Sequence, residues 1–146
     1  EGLINARKSV QLGLRGNTRT LDWLKPSYDL GYNVITKEDY DKNGLIKTIE
    51  EVKTILGDDP VYITFDLDAL DPNIAPAVSN LEAGCNGFSI DEAVSLIQSV
   101  KGLNVVGGDV VCLMPTKDNP NNITSMVAGS IAFEIMSQIS WFLKNK

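Results

Sequence analysis

Apolar residues fall along the chain with two periods. SVQLGLR (9–15), YNVIT (32–36), VYITFD (61–66) and LNVVGGDVVCLM (103–114) are short β-branched or apolar runs that read as buried strands. Between them the period lengthens. GLIKTIEEVKTIL (44–56) sets Leu45, Ile49, Val52 and Ile55 or Leu56 at helical spacing with Lys and Glu between them, which predicts an amphipathic helix. RTLDWLKPSYDLG (19–31) predicts a helix broken near Pro26, because proline lacks the N–H that a helix interior requires. SIDE (89–92) is a capping-box pattern, with Ser89 at the N-cap and Glu92 three residues on, opening a helix that runs to about Val100. A last apolar-striped helix is expected from about 123 to 142, with Met126, Val127, Ile131, Ile135 and Ile139 in the core.

The resulting β-α-β-α-β-α-β-α order predicts an α/β fold with a mostly parallel sheet flanked by helices. In such sheets binding sites lie outside the carboxyl ends of the strands. The loop 69–88, with Pro72, Pro76, Gly84 and Gly87, has no period of its own, and loops of that length in compact domains are usually functional.

Composition narrows the class. The 146 residues are 43% hydrophobic and 22% charged, which suits one globular domain. A net charge of -6, from 13 basic and 19 acidic residues, argues against nucleic acid as a partner and suits a small cationic substrate. No uninterrupted run of about 18 apolar residues occurs, so no membrane partner is expected. Two cysteines, Cys85 and Cys112, are too few for a disulfide framework, and a reducing, cytoplasmic setting is the expectation. The opening EGLINARKSV has neither an initiator Met nor a signal-peptide pattern and reads as a start inside a longer protein. Histidine is absent, which removes the commonest general base and the commonest zinc ligand from this chain.

The candidate chemistry lies in FDLDALDP (65–72), where an apolar strand ends in Asp66, Asp68 and Asp71. Alternate strand positions share a face, so Asp66 and Asp68 are expected to project together, and two like charges that close require a cation, donors or water between them. Asp71-Pro72 is turn chemistry. Spacing alone leaves two readings open: a solvated strand end, or a site for a hard divalent ion such as Mg²⁺ or Mn²⁺. DYDKNGLIKTIE (39–50) also fits a calcium-loop template through Asp39, Asp41, Asn43, Gly44, Ile46 and Glu50, but no helix is expected to enter it, and acidic residues near a helix start have the simpler role of complementing its dipole. Phosphatases of the haloacid-dehalogenase type share an apolar strand ending D-x-D; their motif places Thr or Val where this chain has Leu70, and their strand usually opens the fold, whereas this one is third.

With ITFDLDALDPNIAPAVSNLEAG and VVGGDVVCLMPTKDNPNNITSMVA both in hand, the sequence resembles the C-terminal half of the ureohydrolase family of arginases and agmatinases. The family pattern is S-x-D-x-D-x-x-D-P, a Pro- and Gly-rich loop, then G-x-D-x-V-E-x-x-P. The resemblance implies a three-layer α/β/α fold in which residues 1–146 form the C-terminal part of a single domain whose N-terminal half is absent. It implies two Mn²⁺ ions per complete subunit, Asp66 bridging them and Asp68 ligating one, and attack of hydroxide on the guanidinium carbon of a substrate such as agmatine to release urea and an amine. Asp109 and Asp71 would support the ligands, and Asp118 falls in a loop where the family often carries an acidic residue. The family's catalytic His and four further metal ligands come from the half absent here, so this chain alone is expected to be inactive and its catalytic residue is unknown. The substrate-binding Glu of the family falls on Cys112, and Asn80 stands where a G-V-S variant of the loop often has His. These two are the candidate substrate-binding residues, although a plain buried cysteine also accounts for Cys112. The same departure supports an alternative, a catalytically dead homologue acting as a partner subunit or binding module. A homo-oligomer, trimer or hexamer, is implied, and a sheet edge left open would itself favour association.

Overall fold

The computed structural model describes residues 3–16, 20–84 and 86–146. Its strands are β1 (Val10–Leu14), β2 (Asn33–Thr36), β3 (Val61–Asp66) and β4 (Val105–Val111), and its helices are α1 (Lys25–Asp29), α2 (Lys37–Leu56), α3 (Ile90–Ser99) and α4 (Ile123–Lys144). The expected alternation of strand and helix holds, and the fold is α/β. The strands, however, do not join one ladder: among the described residues β1 pairs only with β2 and β3 only with β4, both in parallel. Periodicity reveals that a segment is a strand but carries no information about which strand lies beside it.

The elements start where local chemistry favours them. In α3 the Ser89 hydroxyl accepts from the Glu92 N–H at 3.1 Å, and the Glu92 carboxylate returns an acceptor to the Ser89 N–H at 2.7 Å, the capping box read from SIDE. An equivalent box on Thr36 and Asp39 opens α2 seven residues ahead of Gly44, so the helix begins earlier than its apolar stripe. Gly44, at φ 75 and ψ 172, then kinks it. The calcium template is thereby dismantled, since Asp39 caps the helix through Thr36 and Asp41 bonds Lys37 and the Asn86 amide. α1 is shorter than expected because Pro26 sits in its first turn, where a missing N–H costs nothing, and turns precede it; residue 19 of the expected helix lies outside the described residues.

A core of Leu67, Leu70, Phe88, Ala93, Ile97, Val127, Ile131 and Ile135 lies under α3, α4 and the turn after β3. Phe88 is its hinge point. Its ring meets Tyr40 edge-on at 5.0 Å, and a Cβ at Gly13 would lie 2.2 Å from its Cε2, so β1 approaches only because residue 13 is glycine, at φ +84. Buried Lys37 sits over the Phe88 ring at 4.9 Å and pairs with Asp41, which offsets the cost of burying its charge. α4 packs on β4 and α3 through Val127, Ile131 and Ile135, as its stripe predicts. Met126, expected in the core, is 65% exposed, together with Phe133 and Met136. α4 is apolar on two sides, and an apolar count could not tell which side faces the sheet. By length and composition alone α4 is long and apolar enough to cross a membrane, and here one side of it serves the core.

The start of α4 is held by Asp118, whose carboxylate accepts from the N–H of Thr124 at 3.1 Å and from the N–H and hydroxyl of Ser125, each at 2.8 Å. Desolvation alone would push this carboxyl up, but the donations from Ser125, Thr124 and Asn119 outweigh it and hold it at about 2, below the ordinary 3.8. Its folded pKa is depressed, so its contribution to stability is full above the unfolded value and is lost as pH falls through the folded one. Asp118→Asn is expected to be less stable than the parent chain at neutral pH, with the difference closing between about pH 4 and pH 2; denaturant unfolding followed by circular dichroism across that range checks it, and a constant difference would contradict it.

Candidate metal centre

β3 ends at Asp66, and the next three residues form a 3-10 turn, Leu67–Ala69. Asp66 and Asp68 are therefore not alternate residues of one strand, as expected from spacing. They meet because the turn folds Asp68 back: its N–H donates to Asp66 Oδ1 at 2.9 Å. Leu67 and Leu70, 0% and 1% exposed, anchor the turn from the opposite side. Burial of these two leucines, each contributing on the order of 2 kcal/mol, holds two repelling carboxylates at one strand end.

The third member of the cluster comes from far along the chain. Parallel pairing sets Asp66 beside Val111, which delivers Cys112 to the same edge. An antiparallel bridge between Val78 and Leu113, with the Met114 N–H donating to the Ala77 carbonyl at 2.8 Å, then lays the loop over it and brings Ser79 alongside. One oxygen each of Asp66 and Asp68 and the sulfur of Cys112 lie within 4.8 Å of one another. Cys112 holds a left-handed backbone, φ 69, a conformation that costs a non-glycine residue on the order of 1 kcal/mol.

The electrostatics follow from this crowding. Burial pushes the Asp68 carboxyl up and the charge of Asp66 adds to it, while the Ser79 hydroxyl at 3.4 Å, the Asn80 N–H and the Arg15 guanidinium pull it down without cancelling the rise. The Cys112 thiol is raised by burial, then by the hydrogen bond and charge of Asp66, with Asp68 adding and Ser79 opposing. Asp68 Oδ1 is shielded from solvent and accepts no hydrogen bond. A divalent cation fits this set: it would satisfy that oxygen and offset the repulsion that raises the pKa of Asp68.

The other sequence candidates separate. Asn80 lies at the cluster, its N–H on Asp68 and its side-chain amide on Glu82 at 2.5 Å. Asp71 serves the turn, accepting from the Asn73 N–H at 2.8 Å, while its own N–H meets the Phe88 carbonyl. Asp109 stands beside Thr64 and accepts from the Tyr62 hydroxyl at 3.0 Å, which raises the pKa of Tyr62. Cys85 lies outside the described residues.

Arg15 and Ser79 were not anticipated. Arg15 Nη2 donates to the carbonyls of Asp68 at 2.7 Å and Leu70 at 2.9 Å, and Nη1 to the carbonyl of Glu82 at 2.9 Å, so one side chain joins the end of β1, the aspartate turn and the long loop. Its position just past a strand's carboxyl end was the available signal.

Parallel strands joined through helices, with an acidic pair at a strand's carboxyl end and loops folded over it, define an α/β protein with a candidate site at its sheet edge. The chain belongs to the arginase family, whose model matches residues 1–137. It is 38% identical over 136 residues to the mitochondrial guanidino acid hydrolase of Mus musculus, covering 93% of this chain and 37% of that protein. Among solved structures it is similar to a hypothetical agmatinase from Burkholderia thailandensis, at 33% identity and TM-score 0.80, covering 99% of this chain and 42% of that one. It is also similar to the proclavaminate amidino hydrolase of Streptomyces clavuligerus, at 31% identity and TM-score 0.82, covering 91% and 43%. The chain thus spans about two fifths of the length of these relatives.

Arg15→Lys is expected to destabilise the chain by about 2 kcal/mol, because one ammonium cannot replace a guanidinium fork donating to three carbonyls. Urea unfolding measures the loss, and an unchanged midpoint would argue against Arg15 as the clasp of the site.

Proposed function

We propose that the protein containing this chain hydrolyses a small guanidino compound such as agmatine to urea and an amine, with two Mn²⁺ ions held in part by Asp66 and Asp68. The observation that carries the reading is the convergence of these two carboxylates, one with a shielded and unpartnered oxygen, at a strand end of an arginase-family chain. Agmatinases and a guanidino acid hydrolase among its relatives support the reaction class.

Divalent ions at this edge would supply Lewis acidity and an activated water at neutral pH. The chain's own residues do the rest. Asp66 and Asp68 bring negative charge to one point, and Arg15 and the Asn80 N–H fix the turn that presents them. Asn80, exposed on the long loop with its amide on Glu82, is the residue of this chain we assign to substrate contact. Cys112, where the family pattern has Glu, offers no fixed negative charge to a guanidinium, so the cation of the substrate must be met elsewhere or by a different group. Asp109 and Asp71 act on the scaffold, through Tyr62 and the turn at Asn73. With only part of the ligand set on this chain and no histidine in it, the 146 residues alone are inactive. Homo-oligomerisation is part of the same proposal.

The absence of a family Glu at Cys112 favours one other reading, a homologue that folds and binds but does not turn over. A urea-release assay on the full-length protein with Mn²⁺, offered agmatine and ω-guanidino acids, separates the two. Turnover is expected on at least one of these substrates, with a loss on the order of 100-fold or more in Asp66→Asn, since removing a direct ligand should cost at least as much as removing its supports. Metal uptake without any urea would favour the inactive homologue. Urea released by the 146-residue chain alone would contradict the division of ligands.

A further inference from the structure

We infer that the sulfur of Cys112 is itself a donor to the cation at Asp66 and Asp68, and that it raises the affinity of the site for borderline or soft divalent ions such as Co²⁺ and Cd²⁺ relative to Mn²⁺. The inference rests on the metal reading of that pair and changes the identity of the ligand set.

Three observations support it. The sulfur and one oxygen of each aspartate lie within 4.8 Å of one another, and donor distances of about 2.3 Å for sulfur and 2.0–2.2 Å for oxygen on a common ion are reached once the three side chains draw inward. The sulfur's position is held by long-range contacts on both sides, the pairing of Asp66 with Val111 and the bridge of Val78 with Leu113, and the chain accepts a left-handed backbone at residue 112 between them. Asp68 Oδ1 is shielded and accepts no hydrogen bond, so the cluster contains an oxygen that only a cation or a new donor would satisfy. A thiol has no fixed charge for a guanidinium, whereas sulfur is a preferred ligand for borderline and soft ions and a poor one for Mn²⁺. On binding, the S–H proton leaves to solvent as the sulfur–metal bond forms, and no electron is transferred.

The test uses the full-length protein, stripped with chelator and titrated with Co²⁺ while bound cobalt is counted. A near-ultraviolet sulfur-to-cobalt charge-transfer band is expected to grow with the bound ion, to persist in Cys85→Ser and to vanish in Cys112→Ser. Cys112→Asp, which keeps a ligand and tolerates the left-handed backbone, is expected to take up Co²⁺ without the band, so loss of the band is separable from loss of fold. In competition, the Cd²⁺ to Mn²⁺ affinity ratio is expected to fall at least about tenfold in Cys112→Ser. Cobalt bound at full stoichiometry with no such band, or an unchanged Cd²⁺ to Mn²⁺ ratio, would overturn the sulfur donor and leave the metal reading standing. No uptake of any of the three ions by the parent protein would overturn both.

Discussion

Two carboxylates held together at a strand end repel each other, and much of this structure is arranged around keeping them there. The repulsion is visible in Asp68, whose carboxyl is raised by burial and by Asp66. Apolar burial holds the position against it: Leu67 and Leu70 lie in the core on the far side of the same turn. Donors then reduce the charge density, with the Asp68 N–H on Asp66, the Ser79 hydroxyl and Asn80 N–H on Asp68, and Arg15 bound to the carbonyls of the turn. The balance remains incomplete, and the unpartnered Oδ1 of Asp68 is where it is left open.

The rest of the site depends on register. A shift of β4 by one residue against β3 would send Cys112 to the other face of the sheet, and with it the Leu113 contact that draws Ser79 in. Register is held from outside by packing. A Cβ at Gly108 would lie 2.7 Å from the Cγ2 of Ile135, so α4 rests directly on the β4 backbone, and the buried hydroxyl of Thr124 accepts from the Ala77 N–H at 3.1 Å, which ties the same helix to the loop. The cap at Asp118 is thus connected to the acidic edge through one helix, although it lies outside the cluster.

Membership of the arginase family and the departures from its pattern carry different information. The acidic pair and the α/β scaffold follow the family, while Cys112 replaces a carboxylate by a shorter and softer side chain. Such a substitution changes what the edge can bind more than whether it forms, because backbone pairing places residue 112 regardless of its side chain. Met126, Phe133 and Met136 on α4 are exposed and are not members of the Asp66, Asp68 and Cys112 cluster.

Much of this was legible from local pattern. The bounds of β3, the Ser89–Glu92 cap, the buried stripe of α4 and the importance of Asp66 and Asp68 follow from periodicity and short-range hydrogen bonding, which operate within a few residues and are written directly in the sequence. The early start of α2 is written locally too, in the Thr36–Asp39 capping box. Other features needed the folded chain. Separate pairing of β1 with β2 and of β3 with β4, exposure of Met126, the clasp of Arg15 and the meeting of Cys112 with residues more than forty positions away all arise from contacts between distant segments. Amino-acid order determined which segments become strands and helices and which residues can ligate, because those are local properties; tertiary packing decided which of those residues share one edge, because neighbour and register are set only when distant apolar faces are buried together.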